Sequence, residues 1–174
     1  VDRGLQAEAT NRLIESQEMD GAMPVDELAP PIVQGKFMTT ANALVAINWA
    51  AAHSDDTKYD VAAERALAWI ASTEPETTQD KTFKIIALMH YGTAEHKRSA
   101  RSVVETIAGE QQADGVWNEN AAGKGSNAIA TGQVLYAFKQ AGVSIHGDMF
   151  RRGVEFLLKH QINDPTLLED GSWA

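Results

Sequence analysis

Apolar residues recur at helical spacing along most of the chain, and no alternating apolar and polar stretch typical of a strand is present. A first helix is predicted from Leu5 to just before Asp20, where the Asp-Gly pair stops it. The proline-rich segment 22–36 cannot continue it and forms the longest loop. Six further helices are predicted, over residues 39–53, 60–72, 78–91, 94–111, 127–141 and 148–160. The pattern therefore predicts an all-α fold of about seven helices.

Two kinds of helix alternate in this pattern. The second, fourth and sixth are rich in small and apolar residues, and they align by eye through Ala46, Ala87 and Ala137. A helix that is apolar around most of its girth is buried on most sides. The other four carry more charge. The spacing from Gly21 to Gly115 corresponds to two helical hairpins of about fifty residues each, which indicates a helical-hairpin repeat.

Three similar stretches follow charged helices: "SQEMDGAM" at 16–23, "QQADGVWNEN" at 111–120 and "HQINDPTLLEDGSW" at 160–173. Each places a glutamine ahead of a glycine turn. Three copies in one chain favour a structural role for these stretches over a catalytic one. The aspartates beside the glycines, Asp20, Asp114 and Asp170, are therefore interpreted as turn residues.

These stretches resemble the QW repeat of the squalene-hopene cyclase and terpene cyclase/prenyltransferase superfamily. The last copy has the basic residue, glycine, aromatic-aliphatic pair, glutamine and Gly-x-Trp of that repeat, at Arg152, Gly153, Phe156, Leu157, Gln161, Gly171 and Trp173. The second copy uses Gln111 or Gln112 with Gly115 and Trp117. A third has Gln17 and Gly21, with Met23 in the place of the tryptophan. The segment "RALAWIASTEPE" looks like a degenerate copy.

The resemblance implies an α/α toroid, with outer helices that end in QW turns and inner helices that line a central cavity. It also implies that the glutamines and tryptophans tie one hairpin to the next. A glutamine amide can satisfy backbone groups at a neighbouring helix end, and an indole can cover the turn.

A complete toroid needs more helices than the seven predicted here. We therefore expect residues 1–174 to form a single repeat domain with a partial or open ring. Either the chain is a fragment of a longer one, or the ring closes against another protein domain or subunit. An open ring would expose apolar edges, which favours a partner.

Composition excludes several classes of partner and chemistry. The formal net charge is -9 and the pI is near 4.9, so nucleic acid and anionic membrane surfaces are disfavoured as partners. The chain has no cysteine, which excludes disulfides and thiolate chemistry. No apolar run approaches the ~20 residues of a membrane span. Exported and cytosolic locations both stay open.

Catalytic candidates are weak. A class II terpene cyclase uses an Asp-x-Asp-Asp acid, and the nearest string here is His53-Ser54-Asp55-Asp56, which lacks the first aspartate. The class I magnesium signature is imitated by Asp55, Asp56 and Asp60, with spacing one residue too long. A solvated turn that caps the third helix is the preferred interpretation. The five histidines form no i, i+4 pair, so neither a metal site nor a cofactor is predicted.

A binding surface remains. By analogy with the fold, the N-terminal ends of the inner helices face a cavity mouth, with larger side chains deeper inside. The candidate ligand-binding residues are Thr39, Thr40, Asn42, Trp49, Lys81, His90, Asn127, Thr131, Gln133 and Tyr136. Thr39, Thr40 and Asn127 also suit helix caps, and Trp49 and Tyr136 suit a core.

The sequence thus favours a non-catalytic, squalene-cyclase-like helical repeat domain that binds a protein partner or an apolar small molecule. The alternative is a fragment of a class II terpene cyclase whose acid motif lies outside this chain.

Overall fold

The structure, a computed structural model, describes residues 3–25, 35–119, 127–163 and 171–173. Within these ranges the chain forms seven α-helices and no β-strand, which confirms the predicted all-α fold. The helices are α1 (Arg3–Glu15), α2 (Lys36–Ala51), α3 (Lys58–Ser72), α4 (Thr78–Tyr91), α5 (Ala94–Gly109), α6 (Ala128–Gln140) and α7 (Asp148–His160).

Side-chain caps begin α4, α5 and α6, whereas α2 and α7 begin after a glycine. Asn127 caps α6 as predicted, because its Oδ1 accepts from the Ala130 N–H at 2.8 Å. Helix α2 begins at Lys36 after Gly35, so Thr39 and Thr40 lie inside the helix and are not caps. The N-cap of α7 is Gly147, and Asp148 is its first helical residue.

Helices α1 and α5 end earlier than predicted, at Glu15 and Gly109. Their ends leave Gln17 and Gln111 outside the helices and in the turns that follow. From these turns each glutamine amide reaches one carbonyl of its own turn and one carbonyl of a neighbouring helix.

The helices pack in two rows. Helix α4 lies between α2 and α6 and packs against both, which forms the even row of α2, α4 and α6. The odd row flanks it: α1 packs on α2, α3 on both α2 and α4, α5 on α4, and α7 on α6. This arrangement confirms the helical-repeat character predicted from the alternation of apolar and charged helices.

Three apolar clusters hold the rows together. The first joins α2, α3, α4 and α5 around Leu44, Ile70 and Leu88. The second joins α4, α5, α6 and α7 around Trp117 and Phe138. The third cluster joins α1, α2 and α3. Most of the buried side chains come from the even row, as its composition predicts.

Candidate functional site

The three predicted turns share one construction, and we call them the first glutamine turn (residues 17–23), the second (111–117) and the third (161–163 with 171–173). In the first, Gln17 Nε2 donates to Gly21 O at 2.9 Å and to Ala62 O at 3.0 Å. Ala62 belongs to α3. The amide therefore closes its own turn and holds the next helix of the odd row.

The second turn repeats these bonds. Gln111 Nε2 donates to Gly115 O at 3.0 Å and to Met149 O, in the first turn of α7, at 2.9 Å. The side chain of Gln112 is exposed, and its Nε2 donates to Glu110 O, two residues earlier, at 3.1 Å. Of the two candidates in the sequence, Gln111 is therefore the glutamine that ties α5 to α7.

Glycine is required in the first two turns for two reasons. Gly21 and Gly115 have φ of 100° and 93°, a region that residues with a side chain rarely adopt. A Cβ on Gly115 would also lie 2.4 Å from Arg152 O, and one on Gly21 would lie 2.3 Å from Arg65 O. The turn backbone thus touches the backbone of the next odd-row helix.

The aspartates of the first two turns serve the backbone, as predicted. Asp20 Oδ1 accepts from Ala22 N–H at 2.9 Å, and Asp114 Oδ1 accepts from Val116 N–H at 3.3 Å. Asp170 lies outside the described residues.

The tryptophan of the second turn is fully buried. Trp117 donates from Nε1 to Ile107 O at 2.8 Å and packs edge-on against Phe138, with ring centroids 5.7 Å apart. Gly153 makes room for it, because a Cβ there would lie 2.9 Å from the indole. Met23 takes the corresponding place in the first turn and is also buried.

The third turn repeats the pattern with an insertion. Gln161 Nε2 donates to Gly171 O at 2.8 Å, and Trp173 Nε1 donates to Leu157 O at 2.7 Å. Unlike Trp117, Trp173 is 44% exposed. The sequence predicted equal roles for the two tryptophans. Their bonds agree with this prediction, and their burial does not.

Two threonines complete the first and second turns, and sequence reasoning placed them elsewhere. Thr40 Oγ1 accepts from Met23 N–H at 2.9 Å, and Thr131 Oγ1 accepts from Trp117 N–H at 3.1 Å. Both threonines are fully buried, so neither hydroxyl reaches a cavity mouth. A signal was present: Thr-x-x-x-Leu followed at the third position by Ile or Phe starts at both Thr40 and Thr131.

No glutamine turn follows α3 at the degenerate copy, and a lysine bonds the end of this helix instead. Lys84 of α4 is only 5% exposed, and its Nζ donates to Ala71 O at 3.0 Å and to Thr73 O at 2.7 Å. It satisfies carbonyls at the C-terminus of α3, where a cation is favourable. Burial lowers the pKa of Lys84, and the charge of Glu74 opposes that shift.

The ten candidate ligand-binding residues do not form one site. Asn42 is exposed on α2, and Thr39 donates to Gly35 O at 3.2 Å. Lys81 pairs with Glu110, and His90 shares a hydrogen bond with Gln140. Trp49 stacks on His53 beside a separate hollow of about 180 Å³. These side chains are therefore occupied or dispersed.

The remaining candidates line two grooves on α6. Gln133 and Tyr136 line a groove of about 270 Å³ between α4 and α6, together with Phe83 and Ile86. A larger groove of about 550 Å³, which we call the Trp173 groove, lies between α6 and the third turn. It is lined by Asn127, Ala128, Ile129, Gly132, Gln133, Leu157 and Trp173.

Of the acidic candidates, Asp55 and Asp56 lie in an exposed turn before α3, and Asp60 lies in the first turn of α3. Asp56 Oδ1 accepts from Lys58 N–H at 3.1 Å, and its Oδ2 lies 2.9 Å from Lys58 Nζ. The side-chain hydrogen bond to Lys58 lowers the pKa of Asp56. Asp55 and Asp60 are exposed as well. Among the described residues, no three His, Asp or Glu side chains are grouped to hold a metal ion.

Comparison of the chain with models of known protein families gave no match, and comparison with curated proteins gave none either. In the part of the chain that the structure describes, no helix is long and apolar enough to cross a membrane.

Proposed function

We propose that this chain is a non-catalytic helical-repeat module of the squalene-cyclase-like α/α toroid type, which binds a protein partner through the Trp173 groove. Two features support the toroid assignment. The glutamine turns tie α1 to α3 and α5 to α7, and the apolar even row packs along one side of the charged odd row.

The observation that carries the binding role is the exposure of large apolar side chains in one place. Ile129 is 72% exposed and Trp173 is 44% exposed, and both line the same groove. Among the residues that the structure describes, no charged side chain lines it. Contiguous exposed apolar surface marks interaction sites in soluble proteins, whereas single exposed apolar residues carry no such meaning.

The setting of Asp56, which lies in the string nearest to the class II acid motif, favours a non-catalytic role. Protonation of an alkene needs a carboxylic acid that keeps its proton inside an apolar cavity, which raises its pKa. Asp56 has the opposite setting, because it is exposed and its pKa is lowered by Lys58. It is therefore ionised near neutral pH.

A turnover assay tests this point. The purified protein is incubated with squalene and, separately, with geranylgeranyl diphosphate and Mg²⁺, and products are identified by gas chromatography and mass spectrometry. We expect no cyclised product. A product that the double variant Asp55→Asn/Asp56→Asn no longer forms would support the alternative, a class II terpene cyclase fragment.

A probe of apolar surface tests the binding site itself. The fluorescence of 8-anilinonaphthalene-1-sulfonate should increase with the native protein, and Ile129→Asp should remove most of this increase. Val45→Asp is the matched control, because Val45 is an exposed aliphatic residue on α2. Equal effects of the two substitutions would contradict a role for the Trp173 groove.

An apolar small molecule is the second candidate ligand, favoured by the groove of Phe83, Ile86 and Tyr136. Its volume of about 270 Å³ falls below the ~300–1,000 Å³ of typical small-molecule pockets. This second groove is therefore not the preferred binding site. Saturable binding of a 15-carbon isoprenoid alcohol by calorimetry, lost in Phe83→Ala, would reverse this preference.

A further inference from the structure

The first and second glutamine turns are each covered by a helix of the even row, and the cover is the same in both. In α2, the hydroxyl of Thr40 accepts a hydrogen bond from Met23 N–H. In α6, the hydroxyl of Thr131 accepts one from Trp117 N–H. In both helices a leucine follows at the fourth position after the threonine, Leu44 or Leu135, and both leucines are buried.

One turn beyond each leucine, an apolar residue packs with the residue that ends the glutamine turn, whereas of the two leucines only Leu135 shares a cluster with it. Ile47, seven residues after Thr40, belongs to the cluster that contains Met23. Phe138, seven residues after Thr131, packs edge-on against Trp117. The spacing of four and seven residues keeps threonine, leucine and the last apolar residue on one face. The chain thus holds two examples of one lock: a glutamine turn covered by Thr-x-x-x-Leu-x-x-Ile/Phe.

The third turn presents the same lock in an uncovered form. Its internal bonds match those of the second: Ile162 N–H donates to Ser172 O at 2.9 Å as Gln112 N–H donates to Val116 O. Trp173 also bonds the carbonyl four residues before its glutamine, as Trp117 does. No helix among the described residues covers Trp173, and the groove of about 550 Å³ lies beside it.

We propose that the Trp173 groove binds one α-helix of a partner protein, and that this helix carries the motif Thr-x-x-x-Leu-x-x-Ile/Phe on an otherwise apolar, acid-free face. The inference rests on the proposed function and specifies its partner. The threonine hydroxyl would accept Trp173 N–H, and the leucine and the last apolar residue would cover the indole. The described part of the groove lining is uncharged, so it offers no counter-charge to an acidic partner helix.

A second copy of this chain is a poorer occupant. Its own helices with the motif, α2 and α6, are already held by Met23 and Trp117 through the same hydroxyls. To serve a neighbour, either helix would have to leave a fully buried position. A partner with a free helix of this type has no such cost.

The test uses the motif helix of the chain itself as the probe. An acetylated and amidated peptide of residues 127–141, labelled with fluorescein, is titrated with the native protein and followed by fluorescence anisotropy. A second peptide carries Gly132→Ala, which raises helix propensity without touching the motif. We expect saturable binding, and roughly tenfold weaker binding of a Thr131→Val peptide because one hydrogen bond is lost.

Variants of the protein locate the binding. Gly132→Gln should weaken binding at least tenfold, because a Cβ at Gly132 meets no atom within 4 Å and the longer side chain extends into the groove. Gly109→Gln is the matched control: its Cβ also meets nothing within 4 Å, it lies at the end of α5, and it should leave binding unchanged. Trp173→Ala should act like Gly132→Gln.

Several results would overturn the proposal. They are no binding of either peptide up to millimolar concentration, binding that Gly132→Gln leaves unchanged, and a native dimer that Trp173→Ala dissociates in light scattering. These are distinct from failure of the proposed function, which would appear as turnover of squalene or as dye binding that Ile129→Asp does not reduce.

Discussion

The side-chain amide of Gln111 donates to the Met149 carbonyl at 2.9 Å and so joins the end of α5 to the start of α7. The neighbouring Gln112 makes no contact of this kind within the described chain. One position of register therefore separates a glutamine that links two odd-row helices from one that is exposed. The pair offers a direct measure of what the link contributes to stability.

Gln111→Leu should lower the free energy of unfolding by about 2 kcal/mol, because the hydrogen bonds from Gln111 to Gly115 O and Met149 O are lost. Gln112→Leu should change it by less than about 0.5 kcal/mol, as for most surface substitutions. Urea unfolding followed by circular dichroism measures both. Equal losses for the two variants would show that Gln111 does not hold α7.

Gly115→Ala should lower the free energy of unfolding by at least about 2 kcal/mol, because it imposes an unfavourable φ and a clash with Arg152 O. Gly109→Ala lies at the end of a helix with open space around its Cβ, and it should be neutral or stabilising. Thermal unfolding of the two variants makes the comparison. A neutral Gly115→Ala would place the turn backbone further from α7.

Trp117→Ala should cost about 4 kcal/mol, because it empties a buried site beside Phe138. Trp173→Ala should lower the free energy of unfolding by only about 1 kcal/mol, because folding removes less apolar area of this half-exposed side chain from water. Chemical unfolding measures both values. Similar costs would mean that Trp173 is covered in solution, for example by self-association, which light scattering would detect.

Thr131→Val removes the acceptor of Trp117 N–H while keeping the shape of the side chain, and should cost about 1.5 kcal/mol. Thr106→Val is the control, because Thr106 is exposed and bonds only within α5. The amide of Trp117 should also exchange faster with deuterium in Thr131→Val, because its hydrogen-bond acceptor is lost. Unchanged exchange at Trp117 would contradict it.

Lys84→Met should lower the free energy of unfolding by about 2 kcal/mol near neutral pH, because Ala71 O and Thr73 O lose their donor. The effect depends on pH. Burial lowers the pKa of Lys84 in the folded chain below 10.5, so between the two pKa values the unfolded chain binds more protons. Unfolding free energy contributed by Lys84 therefore rises with pH in that window.

The stability gap between the native protein and Lys84→Met should accordingly widen in favour of the native protein as the pH rises towards 10.5. Tyr91, whose pKa is raised by burial, is present in both proteins and cancels from the difference. Denaturant titrations at pH 7 and at several values above 9 measure the gap. A gap that stays constant or narrows would show that Lys84 is not buried as a cation.

The sequence predicts the helices better than it predicts which residues form the candidate site. Gln133 and Tyr136 were predicted on a ligand-facing surface, and they do line one groove, but Trp49 and His90 lie elsewhere. Analogy with a fold predicts which helix a residue belongs to. It does not predict which neighbour takes up a given side chain, because that depends on how the rows pack.

What the sequence determined by itself was local: seven helices from apolar spacing, a cap at Asn127, and glycine turns at Gly21 and Gly115. These signals act within a few residues, so they can be read before any packing is known. Only the tertiary structure decided that Trp117 is buried while Trp173 is exposed, that Thr40 and Thr131 close the turns, and that Lys84 replaces a lost turn. Each of these outcomes depends on whether a helix distant in the sequence lies against the residue. The sequence repeats a motif at Thr40 and Thr131, but only the packing shows which turn each motif contacts.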